Sequence, residues 1–147
     1  MSANNPTNES WRNVTLVGTL SLGLIDNVDD YFKHNKIRYL YIDFDGENWK
    51  ALFLGLLNCP TYDLSESGEV NRQRFEQHLS EYPMLSRIFD MFEYALYEKA
   101  EVGQLREECL KLKSIASFVE ASEALNRLVE GCNKALSNES ALLMVPD

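Results

Sequence analysis

Residues 37–44, Ile-Arg-Tyr-Leu-Tyr-Ile-Asp-Phe, constrain the fold more than any other stretch of the chain. Branched and aromatic side chains are dense there, and such residues fit a pleated, half-buried surface. Asp45-Gly46 supplies a turn pair that ends the strand. The chain therefore contains β-structure, and the remaining segments must accommodate it.

On the amino-terminal side, Leu16, Leu20, Leu22 and Leu24 recur with period two, while Leu16, Leu20, Gly23 and Leu24 also fit one helical face. Residues 14–25 are consistent with either element. A short helix is expected from about Asp26, carrying Val28, Tyr31 and Phe32, with Asn35 and Lys36 breaking it. Beyond the turn, Trp49, Leu52, Phe53 and Leu56 favour a helix, although residues 49–57 also suit the return strand of a hairpin. Residues 58–68, with Pro60, Ser65, Ser67 and Gly68, read as a loop dividing the molecule.

Helical spacing dominates after that loop. One helix is expected from Glu69 to Tyr82, stopping before Pro83, because proline disfavours a helical residue ahead of it. Leu85, Ile88, Phe89, Phe92, Ala95 and Leu96 form the stripe of a second, which Gly103 punctuates. Leu105, Cys109, Leu112 and Ala116, then Phe118, Ala121, Leu125, Leu128, Val129, Cys132 and Leu136, give two more helices or one long bent one. The apolar tail around Leu142 to Val145 suits an edge strand or a filler of a helical groove. The expected fold is α+β and mainly helical, a small N-terminal β element with a C-terminal helical bundle. Residues 1–13 form a loose segment and residues 14–147 a single domain.

The chain has 147 residues, enough for one core, and a net charge of −9. Such a surface repels a phosphate backbone and attracts a basic protein. The polar start carries no export pattern, and no apolar run nears the roughly 20 residues that span a bilayer. Cys59, Cys109 and Cys132, odd in number, suit reduced thiols in a cytoplasm.

The sharpest chemical motif is residues 39–46, Tyr-Leu-Tyr-Ile-Asp-Phe-Asp-Gly. It resembles the opening motif of haloacid-dehalogenase-type phosphatases, which implies Asp43 as nucleophile, Asp45 as acid/base and a magnesium ion holding phosphate. The likeness covers eight residues, Glu47 stands where that family has Thr or Val, and the following segments turn helical. An acidic turn after a strand is the simpler reading. A calcium loop fails, since Tyr41 would occupy its first position. His34 and His78 lie in no metal-ligand spacing, no glycine-rich phosphate loop is present, and Cys59 with His78 would need the fold to join them. No catalytic residue, metal or cofactor is expected.

Between Asp43 and Glu69 the acids are Asp43, Asp45, Glu47, Asp63, Glu66 and Glu69, opposed by Lys50 alone, with Phe44, Trp49 and Tyr62 among them. Aromatic anchors ringed by carboxylates suit a basic partner. The expected contact set is Asp43, Asp45, Glu47, Trp49, Tyr62, Asp63, Glu66 and Glu69; the alternative is a solvated loop with core aromatics. In size, acidity and lack of motifs the chain is similar to immunity proteins of bacterial toxin systems, including contact-dependent growth inhibition, its tail over residues 141–147 included. That resemblance implies occlusion of a basic toxin, such as a nuclease, by carboxylates placed where the toxin expects phosphates. A helical adaptor using Leu85, Ile88, Phe89 and Phe92, with a homodimer left open, is the other reading.

Overall fold

The computed structural model describes residues 13–18, 30–90, 95–116 and 119–145. The fold is α+β and mainly helical. In chain order its elements are β1 (Asn13–Gly18), β2 (Arg38–Asp43), α1 (Gly46–Leu57), α2 (Gly68–Ser80), α3 (Arg87–Asp90), β3 (Ala95–Tyr97), α4 (Lys99–Ile115), α5 (Val119–Ser137) and β4 (Ala141–Val145). The four strands form one sheet in the order β2-β1-β4-β3, with β1 parallel to both neighbours and β3 antiparallel to β4.

Parallel neighbours need a return connection, and two helix ends here share one device for making it. The helical turn over residues 30–34 ends at Lys36, and α5 ends at Glu139, both with positive φ, 56° and 52°. Ile37 N donates to Phe32 O and Ser140 N to Ala135 O, each spanning five residues, so both ends are Schellman closures. In each case the preceding asparagine, Asn35 or Asn138, adds a side-chain bond to the carbonyl four residues back. Strands β2 and β4 follow directly and flank β1.

The sheet buries both faces. On one, Val17, Ile42, Leu142 and Met144 join the main core beneath α4 and α5. Gly131 sets the closeness of α5, since a Cβ there would meet Val17, Leu142 and Ile42 from three adjacent strands. On the other, Val14, Leu16, Ala141 and Val145 pack with Phe32, Tyr39, Tyr41, Leu96 and Leu143. Val14 to Gly18 are all buried, as expected for the central strand of a two-faced sheet.

Several sequence expectations hold. Residues 46–57 are helical, residues 58–67 form a loop, and α2 ends before Pro83. Residues 14–18 resolve as strand, whereas residues 19–29 lie outside the described residues, as do residues 1–12 of the expected loose segment; Asn13 already belongs to β1.

Three expectations are corrected. The helix expected along Leu85 to Leu96 is a single turn, α3, followed after the undescribed residues 91–94 by strand β3. Its last two stripe positions, Ala95 and Leu96, open a strand in which Ala95 and Tyr97 are buried and Leu96 is half-buried, a period of two where the sequence suggested three or four. Gly103 interrupts nothing, because α4 starts at the Glu98 cap, where the Glu101 side chain reaches back to accept from Glu98 N at 3.0 Å. The tail is an inner strand, not an edge: β4 lies between β1 and β3.

Candidate protein-interaction site

Helix α1 begins where β2 ends because Asp45 caps it. The Asp45 carboxylate accepts from Asn48 N at 2.9 Å and the Asn48 side-chain oxygen accepts from Asp45 N at 3.0 Å. Such a cap stabilises a helix by roughly 1 kcal/mol. Asp43, the last residue of β2, accepts from the Tyr41 hydroxyl at 3.1 Å, while its carbonyl accepts from Arg127 of α5 at 3.2 Å. The two carboxylates of the phosphatase-like motif are thus engaged separately, one as a helix cap and one with a tyrosine. Among the described residues no group of three His, Cys, Asp or Glu side chains is placed to hold a metal ion.

The next acid, Glu47, lies in the first turn of α1, where the helix dipole favours negative charge. It borders a groove of about 300 Å3 between α1 and α5. Glu120, in the first turn of α5, and Glu123 line the same groove, with Lys50 as its single cation and Ala51 and Leu54 as apolar wall. The helices meet closely at Gly55, where an added Cβ would sit 3.1 Å from Ala121. The α1 side of the groove, Glu47 to Leu54, is the stretch preceding that contact. Leu54 is 48% exposed, so the wall is accessible.

Among the described residues Glu47, Glu120 and Glu123 form no ion pair, whereas Glu66, Glu69, Glu81, Glu101, Glu107 and Glu139 each pair with an arginine or lysine. Three carboxylates face one ammonium around an apolar strip.

The second half of the expected acidic surface is built differently. Asp63 accepts from Ser65 N at 2.9 Å and Ser65 Oγ at 2.8 Å, and these two bonds hold its carboxyl below the ordinary carboxylate range. Asn71 of α2 clamps the Asp63 backbone, accepting from its N–H at 3.0 Å and donating to its carbonyl at 2.8 Å. Arg74 donates to Thr61 O and pairs with Glu66 at 3.7 Å, and Arg72 pairs with Glu69 at 3.0 Å. The loop is therefore fastened to α2 and close to neutral. It carries Tyr62, 54% exposed, and Leu64, 89% exposed, on a fixed backbone.

The eight expected contact residues consequently do not share one patch. Asp43, Asp45 and Glu47 lie at the start of α1, and Tyr62, Asp63, Glu66 and Glu69 lie beyond its end, about 18 Å away along a twelve-residue helix. Trp49 is corrected outright as a surface anchor: it is buried, edge-on to Phe44 at 5.7 Å and beside Phe53, within the core. Sequence reasoning missed Glu120, Glu123, Leu54 and Leu64. The one signal for the glutamates was their i, i+3 spacing on the helix that carries the apolar stripe of Ala121, Leu125 and Leu128. Of the adaptor stripe, Leu85 and Ile88 are buried core residues.

Set against known protein families, curated proteins and solved structures, the chain matches none. No helix among the described residues is long and apolar enough to cross a membrane.

Proposed function

We propose that this protein is an acidic binding protein that captures a basic protein partner, a cognate toxin domain such as a nuclease, through the groove between α1 and α5. One observation carries the reading: the groove gathers three carboxylates that form no ion pair among the described residues, with Lys50 as the one cation in its lining. Unpaired carboxylates beside an apolar strip attract lysine and arginine, whose charged heads seek carboxylates while their stems cover carbon. Bound across a basic substrate groove, such a surface occupies the positions of phosphate groups and excludes the substrate. The protein acts in the cytoplasm, where such a toxin finds its nucleic acid.

The test is to recover the partner from the native cells with tagged chain, identify it, and titrate the purified partner against wild type and a Glu47→Lys, Glu120→Lys, Glu123→Lys variant. The wild type should inhibit the partner's activity, bind more weakly as salt rises, and lose affinity by more than about tenfold in the variant. A variant that binds and inhibits as well as wild type removes the groove from the interface. A captured protein that is neither basic nor inhibited removes the function.

A further inference from the structure

At the amino ends of β1 and β2 lies a second cavity, of about 190 Å3, with Thr15 and Ser140 in its lining. Their hydroxyls are 2.9 Å apart and both residues are buried. Two hydroxyls carry two protons, and the bond between them uses one. Neither makes another side-chain hydrogen bond among the described residues, so one of the two O–H groups is left without an acceptor in that pair.

Two further donors line the same space. The guanidinium of Arg38 forms no ion pair or side-chain hydrogen bond among the described residues, and neither does the amide of Asn13. Asn138 also lines it, with one of its two amide N–H donors given to Lys134 O at 2.8 Å and the other, with its oxygen, still available. The polar lining is therefore rich in donors and carries one positive charge. The apolar side chain on this face is Leu40; Val14 and Tyr39 border the cavity too, but their side chains pack on the other face of the sheet.

We propose that this cavity binds a small organic carboxylate. A planar guanidinium matches a carboxylate through two parallel hydrogen bonds, and the spare hydroxyl proton supplies a third donor to the same anion. Leu40, 40% exposed, takes the carbon portion. A cavity of about 150 Å3 holds a benzene molecule, so one of about 190 Å3 accommodates a ring or short branched chain bearing a carboxylate. Inorganic phosphate would make no use of Leu40 and would bring more negative charge to a chain of net charge −9. The site is independent of the α1–α5 groove and of the function proposed for it.

The experiment is a titration of the 15N-labelled full chain with benzoate, acetate and inorganic phosphate, followed by amide chemical shifts. Benzoate should give saturable shifts centred on Asn13, Thr15, Arg38 and Ser140, with acetate weaker and phosphate weakest. Arg38→Met, which keeps the stem of an exposed side chain, should weaken benzoate about tenfold or more, and Arg38→Lys less. Ser140→Ala should weaken it too; should that variant not fold, the two Arg38 variants decide alone. Absence of saturable shifts with either carboxylate, phosphate binding as tightly as benzoate, or undiminished benzoate binding by Arg38→Met would each overturn the assignment.

Discussion

Gly131 of α5 lies directly against Val17 of β1, so close that a Cβ on the glycine would sit 2.8 Å from Val17 Cγ2. That approach brings the longest described helix down onto the central strand, and it sets two effects in opposition. Alanine is better than glycine inside a helix by about 1 kcal/mol. Overpacking a core typically costs about 1–3 kcal/mol. Val17 is fully buried in the middle of the sheet and has little room to withdraw, so the clash should prevail. Gly131→Ala is expected to lower stability by about 1 kcal/mol in urea denaturation, and Val17→Ala should remove the penalty when the two are combined. Additive losses in the double variant would show that the contact is not what limits the helix.

Lys36 and Glu139 occupy the left-handed position that closes each Schellman end, with φ of 56° and 52°. A side chain there costs about 1–2 kcal/mol relative to the right-handed region, and glycine removes that cost while making the unfolded chain looser. The balance favours Lys36→Gly and Glu139→Gly, each stabilising by about 0.5 kcal/mol or somewhat more. The exposed pair of Lys99 with Glu139 contributes too little to reverse the sign. Alanine at either position should give no gain, and paired thermal melts of the glycine and alanine variants separate backbone strain from loss of the side chain.

Glu108 is a buried carboxylate with a structural task. Its Oε1 accepts from Met84 N at 2.9 Å and Leu85 N at 3.0 Å, holding the turn that leads into α3, and Gln104 donates to its Oε2 at 2.9 Å. Removing the acceptor leaves two backbone N–H groups with nothing to replace it, one of them on the fully buried Leu85. Glu108→Ala should cost about 3 kcal/mol, whereas Glu108→Gln, which keeps an acceptor oxygen, should cost less than half of that. Equal losses for the two variants in denaturant titrations would mean that packing, not the hydrogen bonds, fixes the turn.

The parts of this fold that were legible in the sequence are those whose signal is local. The branched and aromatic run into Asp45-Gly46 contained both the strand and the cap of the next helix, and Pro83 marked the end of α2. Strand β3 was not legible because three residues carry too short a pattern: Ala95 and Leu96 continued the helical spacing of Leu85 and Ile88 by coincidence, while the burial that decides their state comes from β4 and α4. The candidate site divided in the same way. Glu47 was found from its neighbours in sequence, but Glu120 and Glu123 join it only because α5 packs beside α1. Glu66 and Glu69 looked unopposed because the count of charges stopped at Glu69, one turn before Arg72 and Arg74.

The last prediction concerns pH. Arg87 sits where α3, β3 and α4 meet: it donates to Leu96 O at 3.2 Å, lies over the Tyr97 ring at 5.4 Å and binds both oxygens of Glu101 through its two terminal nitrogens. The Arg87 hydrogen bond holds the Glu101 carboxyl below its ordinary value of 4.5, assisted by Glu98 N–H and opposed by partial burial. A carboxyl whose pKa is depressed by folding binds fewer protons in the folded chain than in the unfolded one near and below pH 4.5, so stability falls as pH falls. The contribution is fully present above the unfolded value and is lost as pH drops through the lower, folded one. Glu101→Gln should therefore be less stable than wild type at neutral pH, and the difference should shrink steadily below about pH 4.5. Arg87→Met should reproduce that convergence, since it removes the cause of the depression, and urea midpoints measured from pH 7 to pH 3 for the three proteins report it directly. A gap between wild type and Glu101→Gln that stays constant over that range would show that Glu101 contributes through packing and not through its charge.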